Sequence, residues 1–101
     1  MSENALLDTE HAAQAAAFLK GLANQHRLLV LCHLIDGEKN VGELLARSEL
    51  SASALSQHIA VLKEQGFVTF RKEAQSLYYR LADKDIVNFL IPLKQRFCPD
   101  E

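Results

Sequence analysis

The chain has 101 residues, 49% of them hydrophobic, and a formal net charge of −2. That length suits one domain with a small core, and no apolar run approaches the roughly 20 residues needed to span a bilayer. The first residues, MSENALLDTEHAAQ, start acidic and lack the basic-then-apolar order of a signal peptide, so a cytoplasmic setting with no membrane partner is expected. The charge is unevenly placed. Residues 51–81 hold four basic and two acidic side chains, a net +2, which leaves −4 for the rest. A positive segment within an acidic chain supports contact with a polyanion. No phosphate loop, nucleophile–base pair or paired-carboxylate arrangement is visible, so no enzyme is expected and no cofactor is implied.

Asp8 or Thr9 can cap a first helix through EHAAQAAAFLKGL. Its alanines favour helix and permit close approach of a second one. Phe18, Leu19 and Leu22 supply its larger apolar contacts, and Gly21 weakens its end. Asn24 can cap a second helix, QHRLLVLCHLI. There Leu28, Leu31, Cys32 and Ile35 fall at i, i+3, i+4 and i+7 and define an apolar face. Asp36-Gly37 is a turn. Asn40 then starts a short helix, VGELLAR, with Glu43 placed for a capping box.

Ser48 to Ser51 forms a tight connection, and Ser51 is a good N-cap for the next helix. In that helix Leu55, Ile59 and Leu62 should face the core, leaving Ser53, Ser56, Gln57, Ala60 and Lys63 on the other side. Small side chains allow close approach to a groove, and glutamine can bond an adenine edge bidentately. Gly66 is a stop. Phe67 to Phe70 reads as a strand and Leu77 to Leu81 as a second. The link RKEAQS is short enough for a hairpin but lacks an Asn-Gly signal, which leaves its turn type open.

Asp83 can cap a last helix with Ile86, Phe89, Leu90, Leu93 and Phe97 along one stripe. The stripe is large for a surface helix and points to a partner helix from a second subunit. Pro92 lies inside it and should kink or interrupt the helix; Pro99 marks its end. The expected fold is therefore mainly α with a small β-hairpin, in the order α-α-α-α-β-β-α. It is a single winged helix-turn-helix domain over 1–101, in which a groove-reading helix precedes a hairpin able to touch the flanking backbone.

The order of helices, the segment SASALSQHIAVLKEQGFV and the hairpin RKEAQSLYYRL resemble the ArsR/SmtB family of dimeric bacterial repressors, from about Ala12 to Cys98. The resemblance implies a homodimer paired through the first and last helices, which releases double-stranded operator DNA when an inducer binds. It implies a recognition helix at about 52–65 and a wing at about 67–81. Ser53, Ser56, Gln57 and His58 would meet groove or phosphate, with Lys63 beside them, and Arg71, Lys72 and Gln75 would lie in the wing. His58 has two readings: it meets DNA or it buttresses helix packing. Of Tyr78 and Tyr79, which alternate across a strand, one should be core and the other partly exposed.

The inducer is read from the two cysteines, Cys32 and Cys98. A cytosolic pair is inert, a metal ligand set or a redox device. One metal site of the family needs Cys-x-Cys where this chain has Leu31-Cys32-His33. The other uses the last helix, where Asp83 matches but Asp85, Arg96 and Pro99 occupy the remaining positions. Both metal sites therefore look lost, and His11, His26 and His33 read as surface or helix-end residues. Cys32 and Cys98, with RLLVLCHL, VGEL, SALSQH, RKEAQ and RFCPD around them, resemble the BigR/SqrR/HlyU-type branch. That likeness implies that an oxidant or a reactive sulfur species, by oxidation or polysulfide bridging of the pair, lowers DNA affinity. Two alternatives stand beside it: a metal-responsive repressor using Cys32, His33, Cys98 or a histidine, and a winged-helix protein-interaction module that binds no DNA.

Overall fold

The structure, a computed structural model, describes residues 8–98. Five helices, α1 (Thr9–Leu22), α2 (Gln25–His33), α3 (Val41–Ala46), α4 (Ala52–Glu64) and α5 (Lys84–Phe97), accompany strands β1 (Lys39–Asn40), β2 (Val68–Glu73) and β3 (Ser76–Leu81). None of the described helices is long and apolar enough to cross a membrane. Each helix starts where a short polar side chain meets the orphan amides of the first turn. Asp8 accepts from the His11 amide, Asn24 from His26 and Arg27, Ser51 from Ala54 and Asp83 from Ile86. At α3 the Asn40 and Glu43 side chains cap each other's amides, closing the expected box.

The main departure from the expected order is β1. Its two residues pair with β3, Lys39 opposite Tyr79 and Asn40 opposite Tyr78, and make a three-stranded antiparallel sheet in the order β1-β3-β2. A two-residue strand is too short to show alternation, so nothing in the local pattern announces it. The hairpin is longer than expected on both strands, running in register from Val68 opposite Leu81 to Glu73 opposite Ser76. Only Ala74 and Gln75 remain in the turn. Ala74 takes φ 55°, the left-handed region.

Pro92 does not interrupt α5, which continues to Phe97. Proline removes the bond to the Asn88 carbonyl, but Asn88 and Pro92 are both exposed, so water can satisfy that carbonyl. The α4 terminus follows the six-to-one and five-to-two pattern of a left-handed cap. The Phe67 amide donates to the Leu62 carbonyl at 2.9 Å and Gly66 donates to Lys63 at 3.1 Å, with Gly66 at φ 84°. Phe67 and Leu62 are both buried there, which fixes the exit angle from α4 into the wing.

The core is one cluster in which Leu31, Leu44, Leu55, Leu62, Phe67 and Leu90 are essentially inaccessible. Tyr79 is buried and Tyr78 half-buried, the expected split of the pair. Outside the core, α1 and α5 carry a second apolar surface. Phe18 packs against Phe67 at 4.8 Å and edge-on against Phe89 at 5.6 Å, yet Phe18, Leu19, Phe89, Ile91 and Phe97 stay exposed.

The wing tip carries a local conflict that can be measured. Alanine in the left-handed region costs about 1–2 kcal/mol, while glycine there loses roughly 0.5–1 kcal/mol of chain entropy. Ala74→Gly should raise unfolding free energy by about 0.5–1 kcal/mol in urea titrations; a loss of stability would show that Ala74 is not strained.

Candidate nucleic-acid interface

The inward stripe of α4, Leu55, Ile59 and Leu62, is buried, and this alone sets which side chains look out. Ser53, Ser56, Gln57, Ala60 and Lys63 are exposed or at the outer surface, as the helical spacing required. They form one band along the helix, small at its N-terminal end and basic at its C-terminal end. A cleft of about 100 Å³ between α4 and the sheet is lined by Val41, Ser56, Ile59, Ala60, Lys63 and Tyr79. The Lys63 ammonium lies 4.9 Å from the Phe70 ring centre, tying the helix to β2. The wing residues Lys72 and Gln75 are exposed, Gln75 in the turn itself.

His58 points elsewhere. Its Nδ1 lies 3.4 Å from a terminal guanidinium nitrogen of Arg27, and its ring sits 5.8 Å from that of His26. The Arg27 Nε in turn donates to the Gly21 carbonyl at 2.7 Å. This geometry favours the buttress reading, since the side chain links α4 to the α1–α2 corner. Burial pushes the His58 pKa down, and the charges of Arg27 and His26 push the same way.

Arg71 is also engaged. Its Nε and one terminal nitrogen donate to Glu38 Oε1 at 2.9 and 2.6 Å, and the other terminal nitrogen donates to Glu73 at 2.6 Å. The guanidinium lies 4.7 Å from the Tyr78 ring centre. The bonds to Arg71 hold the Glu38 carboxyl below its ordinary range and raise the Arg71 pKa. Neither the Glu38–Arg71 pair nor the Arg27–His58 pair is visible in the sequence. Each joins residues more than thirty positions apart, and no local spacing marks such a pair.

The two cysteines share a groove of their own. Cys32 is half-buried on α2, Cys98 is exposed at the end of α5, and both are free thiols. Both line a cleft of about 370 Å³ with Gln25, Leu28, Leu29, Leu93, Lys94 and Phe97. Burial pushes the Cys32 thiol pKa up, the Lys94 charge opposes that, and Cys98 adds to it. Among the described residues no group of three His, Cys, Asp or Glu side chains is placed to hold a metal ion.

Residues 24–69, from the cap of α2 into β2, match the family model for bacterial regulatory proteins of the arsR family. The chain is 45% identical over 89 residues to the transcriptional activator HlyU of Vibrio cholerae serotype O1, covering 88% of this chain and 82% of the relative. The chain belongs to the arsR family. It is 39% identical over 92 residues to the biofilm growth-associated repressor of Agrobacterium fabrum, covering 91% of this chain and 79% of that one. The solved structure of HlyU from Vibrio cholerae N16961 superposes with a TM-score of 0.85 at 44% identity, covering 90% of this chain and 99% of the other. As an arsR-family member the protein is a DNA-binding transcriptional regulator and not an enzyme.

The His58 contact carries a sign for stability. A histidine whose pKa is lowered in the fold binds fewer protons there than in the unfolded chain. Its contribution is complete above the unfolded value of about 6.5 and is lost as pH falls through the folded one. Wild-type protein should therefore lose more unfolding free energy between neutral and mildly acidic pH than His58→Gln does, by denaturant titration at each pH. Parallel curves for the two proteins would contradict the assignment.

Proposed function

We propose that the protein is a homodimeric repressor which holds operator DNA through α4 and the wing, and whose affinity falls when Cys32 and Cys98 are covalently joined. The observation that carries the DNA half is the outward band from Ser53 to Lys63 beside a hairpin that presents Lys72 and Gln75. In this reading Ser56 and Gln57 meet base edges, while Ser53, Lys63, Lys72 and Gln75 meet the backbone. Phosphate contacts of this kind make affinity fall with salt. The two faces of α1 and α5 that keep Phe18, Leu19, Phe89, Ile91 and Phe97 exposed support pairing with a second copy. Two copies place two recognition helices on half-sites about one DNA turn apart.

The observation that supports the switch is the shared groove of Cys32 and Cys98. A reducing cytoplasm, the expected setting, keeps both thiols free at rest. An oxidant takes two electrons and two protons from the pair as the S–S bond forms. An inorganic polysulfide acts as sulfur donor and oxidant together: one sulfane sulfur stays between the two cysteine sulfurs while another takes the two electrons and two protons and leaves as hydrogen sulfide, so the longer bridge spans a wider gap. Because α2 packs against both α4 and α5, a link between α2 and the end of α5 pulls on the layer that supports the recognition helix.

The test pairs DNA binding with intact-protein mass spectrometry after peroxide and after inorganic polysulfide. The wild type should release DNA as its two thiols disappear into one bridged species, while Cys32→Ser should bind DNA and keep it under both reagents. Release from Cys32→Ser would remove the cysteine pair as the switch, and zinc-driven release from the reduced protein would transfer it to a metal.

A further inference from the structure

β1 offers the wing little support, since only Lys39 and Asn40 pair with β3. The sheet gains a second tie across the same three strands. Arg71 lies on β2, its guanidinium passes over Tyr78 on β3, and it ends on Glu38, the residue before β1. Tyr78 is the partner of both Arg71 and Asn40 in the strand register, so the brace follows one line across the sheet. Glu73, two residues along β2, holds the remaining terminal nitrogen. A planar guanidinium on two carboxylates with a ring beneath it is a rigid arrangement that lysine cannot copy.

Side-chain alternation adds a direction. On β2, Phe70 and Lys72 share one face, and Phe70 is the residue that Lys63 of α4 covers. Arg71 and Glu73 belong to the other face, with Arg80 close enough to Glu38 to lower its carboxyl pKa further. Arg71 is thus turned from the side of the sheet that α4 occupies, and both of its terminal nitrogens have carboxylate partners.

We propose that Arg71 is a positioning residue for DNA binding, which fixes the wing against the α2–α3 corner through Glu38, and that it contacts no phosphate; Lys72 supplies that contact. The proposal rests on the DNA-binding reading. It differs from the expectation that Arg71 meets DNA directly. A masked cation and a brace make opposite demands on Glu38. If Glu38 merely neutralises a phosphate-binding arginine, removing its charge frees that arginine. If Glu38 anchors the wing, removing its charge loosens the wing.

The experiment measures binding of full-length wild type, Glu38→Gln, Arg71→Gln, Arg71→Lys and Lys72→Gln to a fluorescent DNA duplex from upstream of the protein's own coding sequence, as a function of salt. Hydrogen exchange of the wing amides is followed in the same proteins without DNA. Glu38→Gln, Arg71→Gln and Arg71→Lys should each weaken binding by about three- to tenfold, with the salt slope unchanged and faster exchange over residues 71–78. Lys72→Gln should keep wild-type exchange and lower the slope by about one for each phosphate that the lysine neutralises. Tighter binding by Glu38→Gln, full rescue by Arg71→Lys, or a smaller slope in Arg71→Gln would overturn the proposal while leaving DNA binding intact. A wild type that binds no DNA would overturn the DNA reading and the proposal with it.

Discussion

The structure depends on the burial of Leu55, Ile59 and Leu62 against the core around Leu31. Each side chain contributes about 1.5–3 kcal/mol on leaving water. Rotating α4 by a third of a turn would expose all three, so the helix has one permitted orientation. Everything outward of it follows: the band from Ser53 to Lys63, the cleft with Tyr79, and the cation–π contact that joins Lys63 to Phe70. The cap at Gly66 and Phe67 then hands the chain to the sheet at a fixed angle. The wing stands beside α4 because one buried stripe and one left-handed glycine put it there.

A second layer of polar contacts holds this unit from its two flanks. Arg27 joins the Gly21 carbonyl to His58, bracing α4 on the α2 side. Arg71 joins Glu38 and Glu73 across Tyr78, bracing the wing on the far side of the sheet. Both involve an arginine used for its fork, and both commit a basic side chain to the protein itself. The apolar faces of α1 and α5 provide a surface suited to pairing with a second copy, and the groove of Cys32 and Cys98 lies where α2 meets α5.

What was legible in the sequence was local. Asn40 with Glu43, Ser51 with Ala54 and Asp83 with Ile86 each lie within one helical turn, so residue type and spacing reveal them. The stripe of Leu55, Ile59 and Leu62 is likewise visible, because helical period converts sequence spacing into a face. The arsR-family membership was legible by resemblance, carried by the residues of the α4 and wing segments themselves. β1 was not, since two residues carry no period. The Glu38–Arg71 and Arg27–His58 pairs were not, since their partners come together only after the fold forms. The interruption expected at Pro92 does not occur, because the effect of proline on helix continuity depends on whether the freed carbonyl reaches water, and that is a property of the surface.

In the proposed function the exposed face of α4 reads base edges, with Gln57 as the side chain able to bond an adenine edge bidentately. The most direct measurement is the ratio of affinities for a duplex from upstream of the protein's own coding sequence and for a random-sequence duplex, in wild type and in Gln57→Ala. Gln57 is exposed and has no part in the core, so the variant keeps the fold. The free-energy preference for the first duplex, which is RT times the logarithm of that ratio, should shrink by about 1–3 kcal/mol for one base pair in each half-site. An unchanged ratio in a folded variant would contradict the account.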